Sequence, residues 1–271
     1  MEYKVCICTD KGTVKEVNQD SAMVKVANTK DHGRIAIGVL CDGMGGLSSG
    51  EIASSKAVAA FEQWFVSGLP QALSPMNVTE RLDDCDSRGQ DIMQEVKRQW
   101  LLLAQDINED LLDYGAQNGL ILGSTVVSFL AIENEFLIMN IGDSRAYQFT
   151  NTRGDQLTHD QSVVQNMLDR GLITPQEALN SPQKSVLLQC LGASGNVYPQ
   201  VVMGRIDEPT TILLCCDGLW RKTVSDEFFS EFKPSLCSDE ETMKAKLNGF
   251  IDMVKGRGET DNITGVLICC E

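Results

Sequence analysis

Four aspartates stand at the ends of short apolar runs that are far apart in the sequence. Each run has the length and composition typical of a buried strand. The four are Asp20 before residues 22–26, Asp42 after residues 35–41, Asp217 after residues 211–216, and Asp261 before residues 263–270. Carboxylates that meet at one edge of a packed sheet repel one another and resist ionisation unless a cation neutralises them. The pattern therefore predicts a site for a hard cation, which prefers oxygen ligands.

A glycine-rich segment, Gly43-Met44-Gly45-Gly46, directly follows Asp42. Such a segment is neither a helix nor a strand interior, and its backbone carbonyls are available to a cation. A single Asp-Gly pair is more simply a tight turn, and only its recurrence at several strand ends favours a cation site. Nucleotide binding is a weaker alternative, because the spacing is not GxGxxG and the Gly-Lys-Ser/Thr of a P-loop is absent.

Other polar residues are secondary candidates. Asp143, in a further Gly-Asp turn, is a fifth candidate acid, and we predict that the neighbouring Arg145 is its ion-pair partner. Lys15, five residues before Asp20, is in isolation best interpreted as a solvated lysine. His159 could serve as a general acid or ligand, but one histidine near an aspartate is more often a surface hydrogen-bonding residue. The acidic cluster at residues 83–86 could bind a cation, although a solvated loop is the simpler interpretation.

Composition excludes several classes of protein. The 271 residues carry a net charge of −15, which argues against binding to nucleic acids or to anionic membranes. Ten cysteines occur without any CxxC pair, so a thiolate zinc site is not expected. Most of them lie in apolar runs, as expected for buried, reduced thiols. The sequence shows no signal peptide and no apolar run approaching the roughly 20 residues of a membrane span. We therefore predict a cytoplasmic protein.

The order of predicted elements indicates an α+β fold. Consecutive β-hairpins over residues 123–149 favour an antiparallel sheet rather than a βαβ unit. Residues 67–90 are predicted to be an irregular connection, and residues 151–199 a small helical excursion that could form one wall of a site. The remaining elements are strands at 3–9, 197–206, 210–216 and 263–270 and helices at 51–66, 91–114, 225–232 and 239–255. This order suits two antiparallel sheets packed face to face with helices outside.

Taken together, the motifs resemble those of the metal-dependent protein serine/threonine phosphatases of type 2C, and of their bacterial members in particular. The resemblance spans nearly the whole chain, and its motifs follow the order of the family. They are Asn18-Gln19-Asp20, Asp42-Gly43-Met44-Gly45-Gly46, Gly123-Ser124-Thr125, Gly142-Asp143-Ser144-Arg145, Asp217-Gly218-Leu219-Trp220 and Asp261-Asn262-Ile263-Thr264. The family implies a four-layer αββα sandwich. It also implies a single catalytic domain over residues 1–271, with a flap at about residues 154–199.

The resemblance further implies a centre of two Mg²⁺ or Mn²⁺ ions. Asp42 would bridge both ions, the Gly43 carbonyl would bind one, and Asp217 and Asp261 would bind the other. Asp20 would contact water that the ions hold. Asp143 and Asp217 match a third, weaker metal site of bacterial relatives. The scarcity of histidine agrees with oxygen ligands and with Mg²⁺ or Mn²⁺ rather than Zn²⁺.

Three residues depart from the family pattern. Lys15 stands where an arginine usually clamps phosphate, Gln19 where a glutamate is common, and Arg221 where many relatives have an aspartate ligand of the third metal. These departures leave open a pseudophosphatase, a binding module on the same fold that recruits a partner. The favoured expectation is an active phosphatase, a monomer whose substrates are proteins phosphorylated by a serine/threonine kinase.

Overall fold

The computed structural model describes residues 1–44, 49–74 and 85–271. Its strands are β1 Tyr3–Asp10, β2 Asp20–Asn28, β3 Arg34–Asp42, β4 Val126–Ile132, β5 Glu135–Ile141, β6 Arg145–Phe149, β7 Gly154–Gln156, β8 Gln200–Arg205, β9 Thr210–Cys215 and β10 Ile263–Cys270. Its helices are α1 Gly50–Ser67, α2 Leu69–Leu73, α3 Cys85–Asn118, α4 Val163–Asp169, α5 Pro175–Leu179, α6 Asp217–Trp220, α7 Ser225–Phe232 and α8 Glu240–Gly256.

The strands form two five-stranded antiparallel sheets. One has the order β1-β10-β9-β6-β7 and the other the order β2-β3-β4-β5-β8. Continuous apolar runs form the central strands, and every residue of β4, β9 and β10 is buried. Strands that are buried on both faces must be covered on both faces, which requires a second sheet on one side and helices on the other.

Three apolar cores lie between four layers. The first joins α1 and α3 to the outer face of the β2–β8 sheet, with Trp100 and Phe61 at its centre. The second lies between the two sheets and includes Phe129 and Ile268. The third joins α7 and α8 to the outer face of the other sheet. The prediction of two packed antiparallel sheets with helices outside is confirmed.

One connection differs from its prediction. Residues 67–90 are not irregular throughout, because the short helix α2 lies in this stretch and α3 begins at Cys85 rather than near residue 91. The acidic cluster at residues 83–86, an alternative cation site, falls outside the side chains that the structure describes. None of the described helices combines the length and the apolar character needed to cross a bilayer.

The register of the strands decides where their ends lie. In the antiparallel pair of β2 and β3, Asp20 at the start of β2 lies opposite Asp42 at the end of β3. In the other sheet β9 runs antiparallel to β10, so that the end of β9, next to Asp217, lies beside the start of β10, next to Asp261. Within each sheet, the register thus brings two of the four aspartates to one end of the strands.

Candidate metal centre

Five carboxylates share one region at this end of the strands. Burial raises the pKa of Asp42 well above its ordinary value, and the negative charges of Asp20, Asp217, Asp143 and Asp261 raise it further. Because charges perturb a pKa only over short distances, the four other predicted acids lie within electrostatic reach of Asp42. The structure therefore brings together the acids that the sequence places at separate strand ends.

The pKa values of three other acids, Asp20, Asp143 and Asp217, are raised as well. Burial, with the charge of Asp217 as a further contribution, raises the pKa of Asp20 to about 7. The same two causes raise the pKa of Asp143 to about 8. Burial also raises the pKa of Asp217, although Arg221 opposes that effect. Without additional positive charge, this group of carboxylates cannot be fully ionised near neutral pH.

Several carboxylate oxygens in the group lack protein partners. Among the buried side chains that the structure describes, both oxygens of Asp20 and Oδ1 of Asp217 have no hydrogen-bond partner. Asp20 is only 9% exposed. Buried polar atoms are normally satisfied, so unpartnered oxygens in a polar pocket are donors available to a cation or to water. The oxygen-only set Asp42, Asp217 and Asp261 suits Mg²⁺ or Mn²⁺.

Two basic side chains already contribute positive charge to the group. The Arg221 guanidinium lies 2.5 Å from Asp217 Oδ2 and 3.7 Å from Asp143 Oδ2, with only 18% of its side chain exposed. Lys15 Nζ lies 2.9 Å from Asp261 Oδ1 and is 33% exposed. Burial disfavours the lysine charge, but the ion pair with Asp261 and the charges of Asp42 and Asp217 outweigh it and raise the pKa of Lys15.

The predicted partner of Arg145 is wrong. Its guanidinium makes a bidentate pair with Asp160, through Nε to Oδ1 at 2.9 Å and Nη2 to Oδ2 at 2.7 Å. It also stacks over the Trp220 ring at 3.5 Å. The bidentate pair and the stacking contact hold the guanidinium at Asp160, so adjacency in sequence does not produce an ion pair with Asp143. Arg221 is the cation beside Asp143 instead.

Close backbone packing fixes the loops around the acids. A Cβ at Gly43 would lie 2.3 Å from the Gly50 carbonyl oxygen and 2.5 Å from that of Gln19, so only glycine fits there. Gly12 has φ of 76°, and a Cβ on it would lie 2.1 Å from the Asp261 carbonyl oxygen. Both positions require the absence of a side chain, because the loops approach one another at backbone distance.

The segment at residues 154–199 is attached beside the acids. Ser124 exchanges backbone hydrogen bonds with Leu191 and pairs with Gly43 as an isolated bridge. The Gln161 side chain accepts a hydrogen bond from the Gly142 amide at 2.8 Å. His159 lies within this segment, is 57% exposed at its side chain and contacts Asp169 through Nε2 at 2.7 Å. This pairing agrees with the surface hydrogen-bonding role.

Asn262, part of the last motif, has a structural role in the site that the sequence did not predict. Its Oδ1 accepts a hydrogen bond from the Gln19 amide at 2.9 Å, and its Nδ2 donates to the Lys11 carbonyl at 2.9 Å and to the Val17 carbonyl at 3.2 Å. These bonds hold the loop that carries Lys15 against Asp261. The feature of the sequence that could have indicated this role is a side-chain amide directly after Asp261 and before a buried strand.

Comparison with known proteins now places the chain in a family. The sequence model of protein phosphatase 2C matches residues 11–252. The chain belongs to the protein phosphatase 2C family. Members of this family are metal-dependent protein serine/threonine phosphatases, so the chain is an enzyme of this type.

Individual relatives agree with the family over the full fold. The serine/threonine phosphatase stp of Listeria innocua is 31% identical over 260 residues, covering 96% of this chain and 93% of that protein. PstP of Mycobacterium tuberculosis is 29% identical over 96% of this chain, which matches 43% of that protein. Each is named a serine/threonine phosphatase.

Solved phosphatase structures share the architecture. Stp1 from Staphylococcus aureus has a TM-score of 0.79 and 26% identity, covering 100% of this chain and 96% of that one. The catalytic domain of PstP, described in complex with two manganese ions, has a TM-score of 0.71 and 23% identity. It covers 99% of each chain and supports the fold.

Proposed function

We propose that this phosphatase hydrolyses phosphoserine and phosphothreonine esters of proteins with a centre of two divalent ions, Mn²⁺ or Mg²⁺. The observation that carries the proposal is the group of carboxylates around Asp42, in which burial and repulsion by neighbouring charges raise the pKa values of Asp42 and Asp20. The relatives named as serine/threonine phosphatases support the choice of substrate. The two manganese ions described for PstP support the choice of metal.

Four groups would hold the ions. Asp42 is proposed to bridge them, with the Gly43 carbonyl on one ion and Asp217 and Asp261 on the other. When bound, a pair of divalent ions makes hydroxide available near neutral pH and offsets the charge that develops on the phosphoryl oxygens. The unpartnered Oδ1 of Asp217 and the raised pKa of Asp42 are consistent with ligands that need a cation.

Neighbouring side chains would orient the reactants. The two unpartnered oxygens of Asp20 can accept hydrogen bonds from the attacking water and so hold it for in-line approach to phosphorus. Lys15 carries a positive charge at the edge of the group and can bind a phosphoryl oxygen, although an ammonium is a point charge without the bidentate geometry of arginine. The segment at residues 154–199 is proposed to act as the flap that forms one wall for the substrate protein.

Arg221 argues for two ions rather than three. Asp143 and Asp217 are the pair that the family resemblance assigns to a third metal site, and the Arg221 guanidinium already contacts both. A divalent ion in the same place would meet a fixed positive charge at a distance of a few ångströms. We propose that in this chain the arginine replaces the third ion.

A pseudophosphatase is the alternative, and the positively charged side chains of Lys15 and Arg221 favour it. Lys15 and Arg221 pair with Asp261 and Asp217, so part of the negative charge is compensated without metal. Calorimetric titration with Mn²⁺ separates the two functions, because a binding module of this kind should bind the ion poorly.

Hydrolysis of p-nitrophenyl phosphate and of a phosphothreonine peptide, with and without Mn²⁺, tests the proposed function. Asp217→Asn is expected to remove most activity while the protein stays folded. Asp10→Asn is a suitable control, since Asp10 ends β1 but pairs with Lys255 at 2.8 Å. Folded protein without turnover in any divalent metal would contradict an enzymatic role, and near-full activity of Asp217→Asn would exclude Asp217 as a ligand.

A further inference from the structure

One thiol lies among the carboxylates. Cys216, between the end of β9 and Asp217, is fully buried. Its Sγ and one carboxylate oxygen from each of Asp20 and Asp42 all lie within 4.8 Å of one another. A sulfur donor next to two oxygen donors differs from the oxygen-only set that suits Mg²⁺ or Mn²⁺, because thiolates select softer ions.

Two features of these three residues indicate a ligand site. Both oxygens of Asp20 are buried and have no hydrogen-bond partner in the described part of the chain, so a polar side chain about nine-tenths buried has its acceptor atoms free within this group. The Thr264 amide donates a hydrogen bond to Cys216 Sγ at 3.1 Å. The Cys216 S–H in turn lies 3.5 Å from the Asn262 carbonyl oxygen, to which it donates. These two backbone contacts hold the sulfur beside the free oxygens of Asp20.

We infer that Cys216, Asp20 and Asp42 form a site for a soft divalent ion, Zn²⁺ or its probe Cd²⁺. Ligands of a tetrahedral zinc ion stand about 2.0–2.3 Å from the metal, hence roughly 3.5 Å from one another. The observed limit of 4.8 Å requires these atoms to approach one another by at most about 1.3 Å. On binding, the Cys216 S–H proton is released to solvent as the sulfur–metal bond forms, and water completes the coordination.

The site shares Asp42 with the proposed catalytic centre. Soft-ion binding by the trio stands on its own geometry, whereas its consequence rests on the proposed function. If Asp42 bridges the catalytic ions, Zn²⁺ at this site withdraws a ligand from them and inhibits the enzyme. Mn²⁺ and the soft ion should therefore compete.

Cadmium binding to the full-length, chelator-treated protein tests the site directly. A thiolate-to-cadmium charge-transfer band should appear in the ultraviolet on titration, and an excess of Mn²⁺ should reduce it. Cys216→Ser should lower Cd²⁺ affinity by more than about tenfold, since even the loss of an outer partner of a metal ligand costs about 10–100-fold. Cys237→Ser is the matched control, because Cys237 is another buried thiol whose Sγ contacts a backbone carbonyl, that of Phe232 at 3.5 Å.

Each outcome of these titrations either supports or contradicts the proposed site. A band present in the wild type and in Cys237→Ser but lost in Cys216→Ser supports the site. An equal band in all three proteins, or no band in the wild type, overturns it. If Cys216→Ser does not fold, the cadmium NMR shift of the wild-type protein still decides, because one sulfur with oxygen donors differs from several thiolates. A band that Mn²⁺ leaves unchanged would overturn the sharing of Asp42, whatever the phosphatase assay gives.

Discussion

Replacing Asp20 by Asn should stabilise the metal-free protein, and more strongly at high pH. Burial and the charges of Asp217 and Asp261 raise the pKa of this carboxyl from an ordinary value of 3.8 to about 7. A carboxyl whose folded pKa exceeds its unfolded pKa makes the folded state bind more protons between the two values. The free energy of unfolding therefore falls as pH rises from about 4 to about 7.

The size of the effect follows from the linkage relation. The raised pKa of Asp20 lowers the free energy of unfolding by about 4 kcal/mol at pH 8 and about 2 kcal/mol at pH 5, at about 1.4 kcal/mol for each pH unit. The asparagine carries no charge, so it escapes this cost at both values. If the asparagine side chain lacks a hydrogen-bond partner, that cost is similar at both pH values because the amide does not titrate. The stability difference between Asp20→Asn and wild type should thus grow by about 2–3 kcal/mol from pH 5 to pH 8.

Urea denaturation in the presence of a chelator, at pH 5 and at pH 8, measures this difference. Asp10→Asn is the control, because the hydrogen bond to Lys255 lowers the pKa of Asp10 and its loss should destabilise the protein to a similar extent at both pH values. With Mn²⁺ added, the advantage of Asp20→Asn should disappear, since the ions neutralise the carboxylates. An Asp20→Asn difference that is equal at pH 5 and pH 8 in chelator would refute the claim that burial of charge dominates this site.

Three further substitutions test the surroundings of the carboxylates. Arg221→Ala should lower the stability of the metal-free protein by about 3 kcal/mol, because it removes the cation that contacts Asp217 and Asp143. It should also increase the number of Mn²⁺ ions bound in calorimetry. If the stability and the number of ions are both unchanged, the proposed replacement of a third ion by Arg221 is wrong. Lys15→Arg should tighten inhibition by inorganic phosphate by up to about tenfold, as one added hydrogen bond contributes about 1 kcal/mol; weaker inhibition would argue against a phosphate contact at this position. Asn262→Ala should lower the free energy of unfolding by about 1–3 kcal/mol in urea denaturation, because three hydrogen bonds to the loop of residues 11–19 are lost. A decrease below about 0.5 kcal/mol, the low end for one net hydrogen bond, would show that other contacts hold this loop.

Local patterns in the sequence were sufficient for the elements and for the acids. Apolar runs of strand length predicted β3, β9 and β10, and helical spacing of Ala57, Phe61 and Trp64 predicted α1. Acids directly beside buried strands could be recognised as candidates because a strand interior tolerates no unpaired charge. An irregular connection was predicted up to residue 90, yet α3 already begins at Cys85, because helix ends depend on contacts beyond the local propensity.

Only the tertiary structure decided which side chains meet. The register that sets Asp20 opposite Asp42 and the packing of one sheet on the other bring Cys216 to the carboxylates, although the sequence alone suggested a small hydrophobic residue. Likewise, Arg145 turns to Asp160 while Arg221 takes the place beside Asp143. Sequence fixes the kind of residue at each strand end through local periodicity, whereas contacts across sheets depend on register and side-chain direction, which no local pattern contains.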